Sequence, residues 1–166
     1  MGGSQVFLDA GKRYPVRDLL KSVIVASAND AAVALGEHMD GTHETFVARM
    51  NTRAKELGLE NTHYVNCTGL PAQGHYTTAR DVAVLSAQLD RHPLYYQFST
   101  IWMDAITHPG GRKTQLTNTN RLVRFYPGCD GYKTGSTNEA RYCISATAEK
   151  NGLRLIAVVL GANAGQ

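Results

Sequence analysis

At 166 residues, with 43% hydrophobic and 19% charged side chains, the chain has the composition of one ordinary globular domain and is not a disordered segment. Its formal net charge of +3 is small and its lysines and arginines are scattered, which excludes a nucleic-acid stripe. The longest apolar run, Leu155 to Leu160, is far short of a membrane span and reads as a buried strand.

In chain order, Tyr14-Pro15 opens the first helix, because proline is favoured in a first turn. Leu19, Leu20, Val23, Ile24, Ala31, Val33 and Leu35 recur at helical spacing through about Met39. Ser27-Ala28-Asn29-Asp30 interrupts that run with residues that compete for backbone hydrogen bonds, so one rod and two helices meeting at a turn fit equally well. Thr42 caps a further helix carrying Phe46, Val47, Met50, Ala54 and Leu57, which Gly58 ends. Asn61 to Val65 is a short extended piece, and Cys67 to His75 is a loop rich in turn formers. Thr78-Ala79-Arg80-Asp81 starts a helix with Val82, Val84, Leu85 and Leu89, closed by Asp90-Arg91-His92-Pro93. From Thr100 the character changes: Ile101 to Thr107 and Tyr142 to Thr147 predict strands, and Asn151-Gly152 signals a type I′ hairpin into Leu153 to Gly161. Asn163 to Gln166 reads as a frayed end or linker stub. Helices first and strands last indicate an α+β fold in a single domain, about 15–98 mainly helical and about 100–162 mainly strand.

Two short boxes carry the candidate chemistry. Ser27-Ala28-Asn29 lies within the first helical stretch; its serine and asparagine would pass a proton and hold an amide, or else simply mark a helix break. Lys133-Thr134-Gly135 lies at the end of a strand-like stretch, offering an ammonium and a hydroxyl to a carboxylate, with a glycine that lets a ligand approach the backbone. As a bland alternative it is a polar strand end, and three residues match by chance often. Ser-x-Asn and Lys-Thr-Gly are two of the three boxes of serine acyl-transferases that handle penicillins and D-alanyl peptides. The third, Ser-x-x-Lys, is not found: no serine here has a lysine three places on, and the nearest look-alikes, Thr52 to Lys55 and Thr147 to Lys150, begin with threonine.

The boxes and their flanks resemble the D-alanyl-D-alanine carboxypeptidases, the low-molecular-mass penicillin-binding proteins with a β-lactamase-like fold. The resemblance runs in order through Met1 to Leu8, Asp18 to Leu20, Val25 to Ala32, Gly69 to Pro71, His75 to Asp81 and Asp130 to Gly135. Asn118 to Leu122 and Glu139 to Cys143 look more like the Gram-positive, sporulation-associated members. It implies that Ser27 relays a proton, Asn29 holds the substrate's amide and Lys133 supplies positive potential. Thr134 would contact the terminal carboxylate beside Gly135. The N–H of Ser136 would form half an oxyanion hole, of the kind worth about 3–4 kcal/mol per donor in other serine enzymes. Position 136 often carries a bulkier residue in relatives. In the family the nucleophilic serine and its lysine lie upstream of the Met1-Gly2-Gly3-Ser4 segment, so the chain reads as an N-terminally truncated, partial domain that is inactive alone.

The opening residues show no basic region and apolar core of a signal peptide, whereas the family implies an extracytoplasmic, cell-envelope site for the full-length protein. Six histidines (38, 43, 63, 75, 92, 108) lack metal-ligand spacing, so neither metal nor cofactor is expected. Cys67, Cys129 and Cys143 read as small buried apolar residues, with Cys129 worth a check because Lys133 would lower its pKa. The implied partners are a peptidoglycan stem peptide or a β-lactam, and no nucleic acid. The alternative reading is a non-catalytic fragment that binds peptide or self-associates through an exposed sheet edge. A β-lactamase fits less well, because no glutamate-bearing loop of that sort stands between the boxes.

Overall fold

A computed structural model describes residues 2–163 of the chain. The first helical stretch is two helices, α1 (Val16–Ala26) and α2 (Asn29–Asp40). Ser27 takes the left-handed conformation (φ 57°), and the N–H groups of Ser27 and Ala28 fold back onto the carbonyls of Val23 and Ser22, each at 3.1 Å. Thus the polar interruption is a helix end followed by a new start. α3 (His43–Glu56) is capped by Thr42, whose hydroxyl accepts from the Thr45 N–H; α4 (Ala79–Leu89) is capped by Thr78, which accepts from the Asp81 N–H. A 3₁₀ turn (Pro93–Tyr95) and α5 (Tyr96–Ser99) complete the helical half.

The strand half holds two antiparallel sheets. β1 (Met103–Thr107) pairs with β2 (Lys113–Thr117), and β3 (Cys129–Thr137), β4 (Arg141–Lys150) and β5 (Leu153–Ala162) lie side by side in that order. Asn151 and Gly152 both have positive φ (53° and 76°), as a type I′ turn requires. The extended piece at Asn61 to Val65 makes one isolated antiparallel bridge, His63 to Tyr76. One expectation needs correction. The Lys-Thr-Gly box sits inside β3 and not at its end, because Ser136 and Thr137 continue the ladder against Tyr142 and Arg141. Of the expected tail, 164–166 lie outside the described residues, while Asn163 accepts a hydrogen bond from Arg141.

Val6, Leu19, Val25, Ala28, Ala31, Ile106 and Leu116 form the core, drawn from the N-terminal segment, both first helices and the β1–β2 hairpin. Asp30 fastens the N-terminal segment to this corner: its two carboxylate oxygens accept from the N–H groups of Val6 (3.1 Å) and Leu8 (3.0 Å). Beside it, the Asn29 N–H donates to Ser4 O at 2.8 Å. Among the described residues no helix is long and apolar enough to cross a membrane.

Replacing Asp30 leaves three N–H groups, those of Val6, Leu8 and Ala31, without this acceptor. We expect Asp30→Ala to lower unfolding free energy by about 1–3 kcal/mol in urea denaturation, with secondary structure retained by circular dichroism below the transition. An unchanged midpoint would show that this clamp is not needed.

Candidate active site

Ser27 and Asn29 owe their places to the α1–α2 corner. Ser27 ends α1 in a left-handed turn, Ala28 is extended, and Asn29 opens α2. Asn29 is buried, and its Nδ2 donates to Gly2 O at 2.8 Å. Gly3 (φ +73°) passes so close that a Cβ there would come within 2.5 Å of that same Nδ2, so glycine is needed for both conformation and space.

Lys133 comes from the other half of the chain. Its Nζ donates to Ser27 Oγ at 2.7 Å and to its neighbour Thr134 O at 2.5 Å. Both acceptors are neutral. Burial without a compensating carboxylate pushes the Lys133 pKa down from 10.5 to about 8. Thr134 Oγ donates to Thr119 Oγ at 2.8 Å. Gly135 and Ser136 follow on the same strand, both exposed, and a Cβ at Gly135 would meet nothing within 4 Å. The two boxes, 106 residues apart, are therefore adjacent in space at Ser27 and Lys133. Asn29 is not bonded to Lys133 in this arrangement; its donor is turned to Gly2.

What brings β3 to the helical corner lies in residues that box-spotting passes over. Just before Lys133 the ladder is irregular between Cys129 and Gly131, and three successive carbonyls there accept from side chains. Ser99 Oγ donates to Asp130 O at 2.5 Å, Asn120 Nδ2 to Gly131 O at 3.1 Å and Tyr95 OH to Tyr132 O at 3.2 Å. Asn118 Nδ2 donates to Ser99 O and Ile101 O, and the Thr119 N–H donates to Val25 O in the last turn of α1. The loop 118–120 thus ties β3, α5 and α1 together. The repeated asparagine in Asn118-Thr119-Asn120 was the available signal, since buried asparagines must be hydrogen-bonded.

Other candidates stay outside this cluster. Burial pushes the Cys129 thiol pKa up, contrary to the expected lowering by Lys133, and its Sγ donates to Gly131 O. Cys67 and Cys143 are only half-buried, and all three thiols are free. Among the described residues no cluster of metal-ligating side chains occurs. A groove of about 440 Å³ over α3, lined by Phe46, Met50, Leu57, Tyr64 and Leu85, shares no residue with the Ser27–Lys133 cluster.

Residues 1–164 match the sequence family described as D-alanyl-D-alanine carboxypeptidase. The chain belongs to that serine-peptidase family. It is 47% identical to the D-alanyl-D-alanine carboxypeptidase DacF of Bacillus subtilis, over 98% of this chain and 42% of that protein. With DacC of Escherichia coli the identity is 40%, over 97% and 40%. The crystal structure of DacD from Francisella tularensis superposes with a TM-score of 0.91 at 31% identity, covering 99% of this chain and 51% of that one. Penicillin-binding protein D2 of Listeria monocytogenes, in its cefotaxime-bound form, gives 0.79 at 38% identity over 93% and 62%. The mixed helix and antiparallel-sheet architecture is that of this carboxypeptidase family, and the chain spans about two fifths of the length of these curated relatives.

The depressed lysine pKa has a consequence for folding. An unfolded lysine keeps its proton to about pH 10.5 and the folded one only to about 8, so the unfolded chain binds more protons between those values and stability rises with pH across that window. Comparing urea midpoints at pH 7.5 and 10, we expect Lys133→Met to remove part of this rise. Equal pH slopes in both proteins would show that Lys133 has an ordinary pKa.

Proposed function

We propose that these residues form the larger part of a D-alanyl-D-alanine carboxypeptidase site, one incomplete catalytic domain acting on peptidoglycan stem peptides through a serine acyl-enzyme. The observation that carries this reading is the contact of Lys133 Nζ with Ser27 Oγ, made across 106 residues.

In acylation a serine Oγ attacks the carbonyl carbon of the penultimate D-alanine, the C–N bond breaks, and terminal D-alanine leaves as the amine. Ser27 would relay the proton to that amine; its hydroxyl oxygen already accepts from Lys133. Lys133, with its spare donor, supplies positive potential toward the acylation centre and the substrate carboxylate. Thr134 contacts that carboxylate, Gly135 leaves the strand surface open beside it, and the Ser136 N–H supplies one oxyanion donor. The Asn29 carboxamide, having given its donor to Gly2, offers its oxygen to a substrate N–H. Water then releases the acyl group. The attacking serine is the group that the 166 residues do not supply, since none of their serines has a lysine three places on. A complete protein of this kind works outside the cytoplasm, where its substrate is.

Intact-mass spectrometry after incubation with a labelled penicillin tests the reading. We expect no adduct on this chain and a single adduct on a version extended upstream to include a Ser-x-x-Lys segment. An adduct on the 166-residue chain would mean that one of its own side chains is the nucleophile and that the account of an absent attacking serine is wrong.

A second reading concerns association. β5 is a sheet edge, and Leu153, Leu155 and Val159 on it are 63%, 65% and 50% exposed. Such an edge favours pairing with another chain. We expect light scattering to report dimers or larger species at micromolar concentration; a monomer throughout would remove this reading and leave the catalytic one intact.

A further inference from the structure

Thr119 is an exposed residue between two buried ones. Asn118 and Asn120 are 4% and 1% exposed, and both spend their carboxamides on backbone partners: Asn118 on Ser99 O, Ile101 O and the Asn120 N–H, and Asn120 on Gly131 O and the Leu122 N–H. The Thr119 N–H itself is fixed to Val25 O at 3.0 Å. A backbone held on both sides presents one free side chain, and that side chain meets Thr134 Oγ at 2.8 Å.

We propose that Thr119 is the second hydroxyl of the carboxylate site, acting with Thr134 to grip the two oxygens of a peptide's free C-terminus. This deepens the reading of Thr134 as a carboxylate contact and rests on it. A hydroxyl carries one proton and two lone pairs. In the chain without ligand Thr134 donates to Thr119, which leaves the Thr119 proton free to turn outward. When a carboxylate arrives, both hydroxyls rotate about their C–O bonds and each donates to one oxygen, with no movement of either backbone. The gain is two charge-assisted hydrogen bonds in place of one neutral one. The cations of the same loop take no part, because Arg121 lies over the Phe125 ring (5.8 Å) and Arg124 over the Trp102 ring (5.2 Å). Discrimination for a free acid over an amide at this end of the site therefore falls to the hydroxyl pair and Lys133.

The test uses the 166-residue chain and backbone amide NMR titrations with diacetyl-L-Lys-D-Ala-D-Ala and with its C-terminal amide. We expect Thr119→Val to weaken binding of the free acid by roughly tenfold while changing the amide form by no more than about twofold. Thr119→Ser, which keeps the hydroxyl, retains the preference for the acid. Should Thr119→Val lose its dispersed spectrum, Thr119→Ala makes the same comparison. If Thr134→Val weakens the acid form and neither the valine nor the alanine variant at 119 does, the role of Thr119 is overturned and that of Thr134 stands. If the wild-type chain binds acid and amide alike and Thr134→Val changes nothing, the carboxylate reading falls, and this one with it.

Discussion

The candidate site depends on one constraint: strand β3 must lie against the corner between α1 and α2. Nothing in the local sequence of either partner enforces this, since the corner is a helix end and β3 pairs along its length only with β4. The attachment is made by side chains that donate to the carbonyls of residues 130, 131 and 132, at the place where the ladder of β3 is irregular. A regular strand would have spent half of those carbonyls on a neighbouring strand. The irregularity frees them, and Ser99, Asn120 and Tyr95 use them to bolt the strand to the helical half. Lys133 follows directly and reaches Ser27 as a result.

Three cations near this junction divide in two ways. Arg154 bridges Asp90, Asp130 and Glu149, its pKa raised chiefly by the Asp130 hydrogen bond, and it ties β5 to the end of α4 and the start of β3. Lys21 pairs with Asp18 and Asp104 and donates to Ala105 O, joining α1 to β1. Their charge is consumed by structure. Lys133 is held by neutral oxygens instead and is desolvated without compensation. A buried ammonium with neutral partners costs stability, and that cost is recovered when an anion binds beside it. On the proposed reading that arrangement suits a ligand carboxylate, and it sets Lys133 apart from cations consumed by packing.

Much of this was legible from residue order. The helix stops and starts at Thr42, Gly58 and Thr78, the Asn151-Gly152 hairpin and the two boxes follow from local chemistry, whereas at Ser27 the residues left one rod and two helices equally open. What was missed has a physical reason in each case. β2 was overlooked because Lys113, Gln115 and Thr117 face outward and only Leu116 is fully buried, leaving too little apolar alternation in five residues. α5 and α6 (Leu122–Phe125) are four residues each, below the length at which periodicity can be read. The position of Lys133 within β3 was misread because glycine at 135 looks like a stop, whereas Gly135 pairs with Cys143 in an unbroken register. The clamp around Asn118 and Asn120 is long-range, and no local pattern announces which carbonyls a buried asparagine will meet.

The direction in which a ligand lies follows from the same geometry. Successive residues of a strand point to opposite faces, yet Lys133 and Thr134, which are adjacent, both make contacts beside the α1–α2 corner. Lys133 does so at Ser27 and Thr134 does so at Thr119, while Thr119 is itself bonded to Val25 two residues before Ser27. Two neighbours with opposed side chains reach one neighbourhood only if the strand presents its free edge there and straddles it. On the proposed reading a ligand would lie along the outer edge of β3, the edge that β4 does not cover. An extended peptide would fit such an edge as an added strand. Its C-terminal carboxylate would lie where Lys133 and the two threonines converge, and the bond to be broken one residue back, toward Ser27. Because the same edge would fix both the register of the peptide and the place of its carboxylate, a shift of one residue along β3 would invert every contact. On that reading the bolting of carbonyls 130 to 132 would bear on binding as well as on folding.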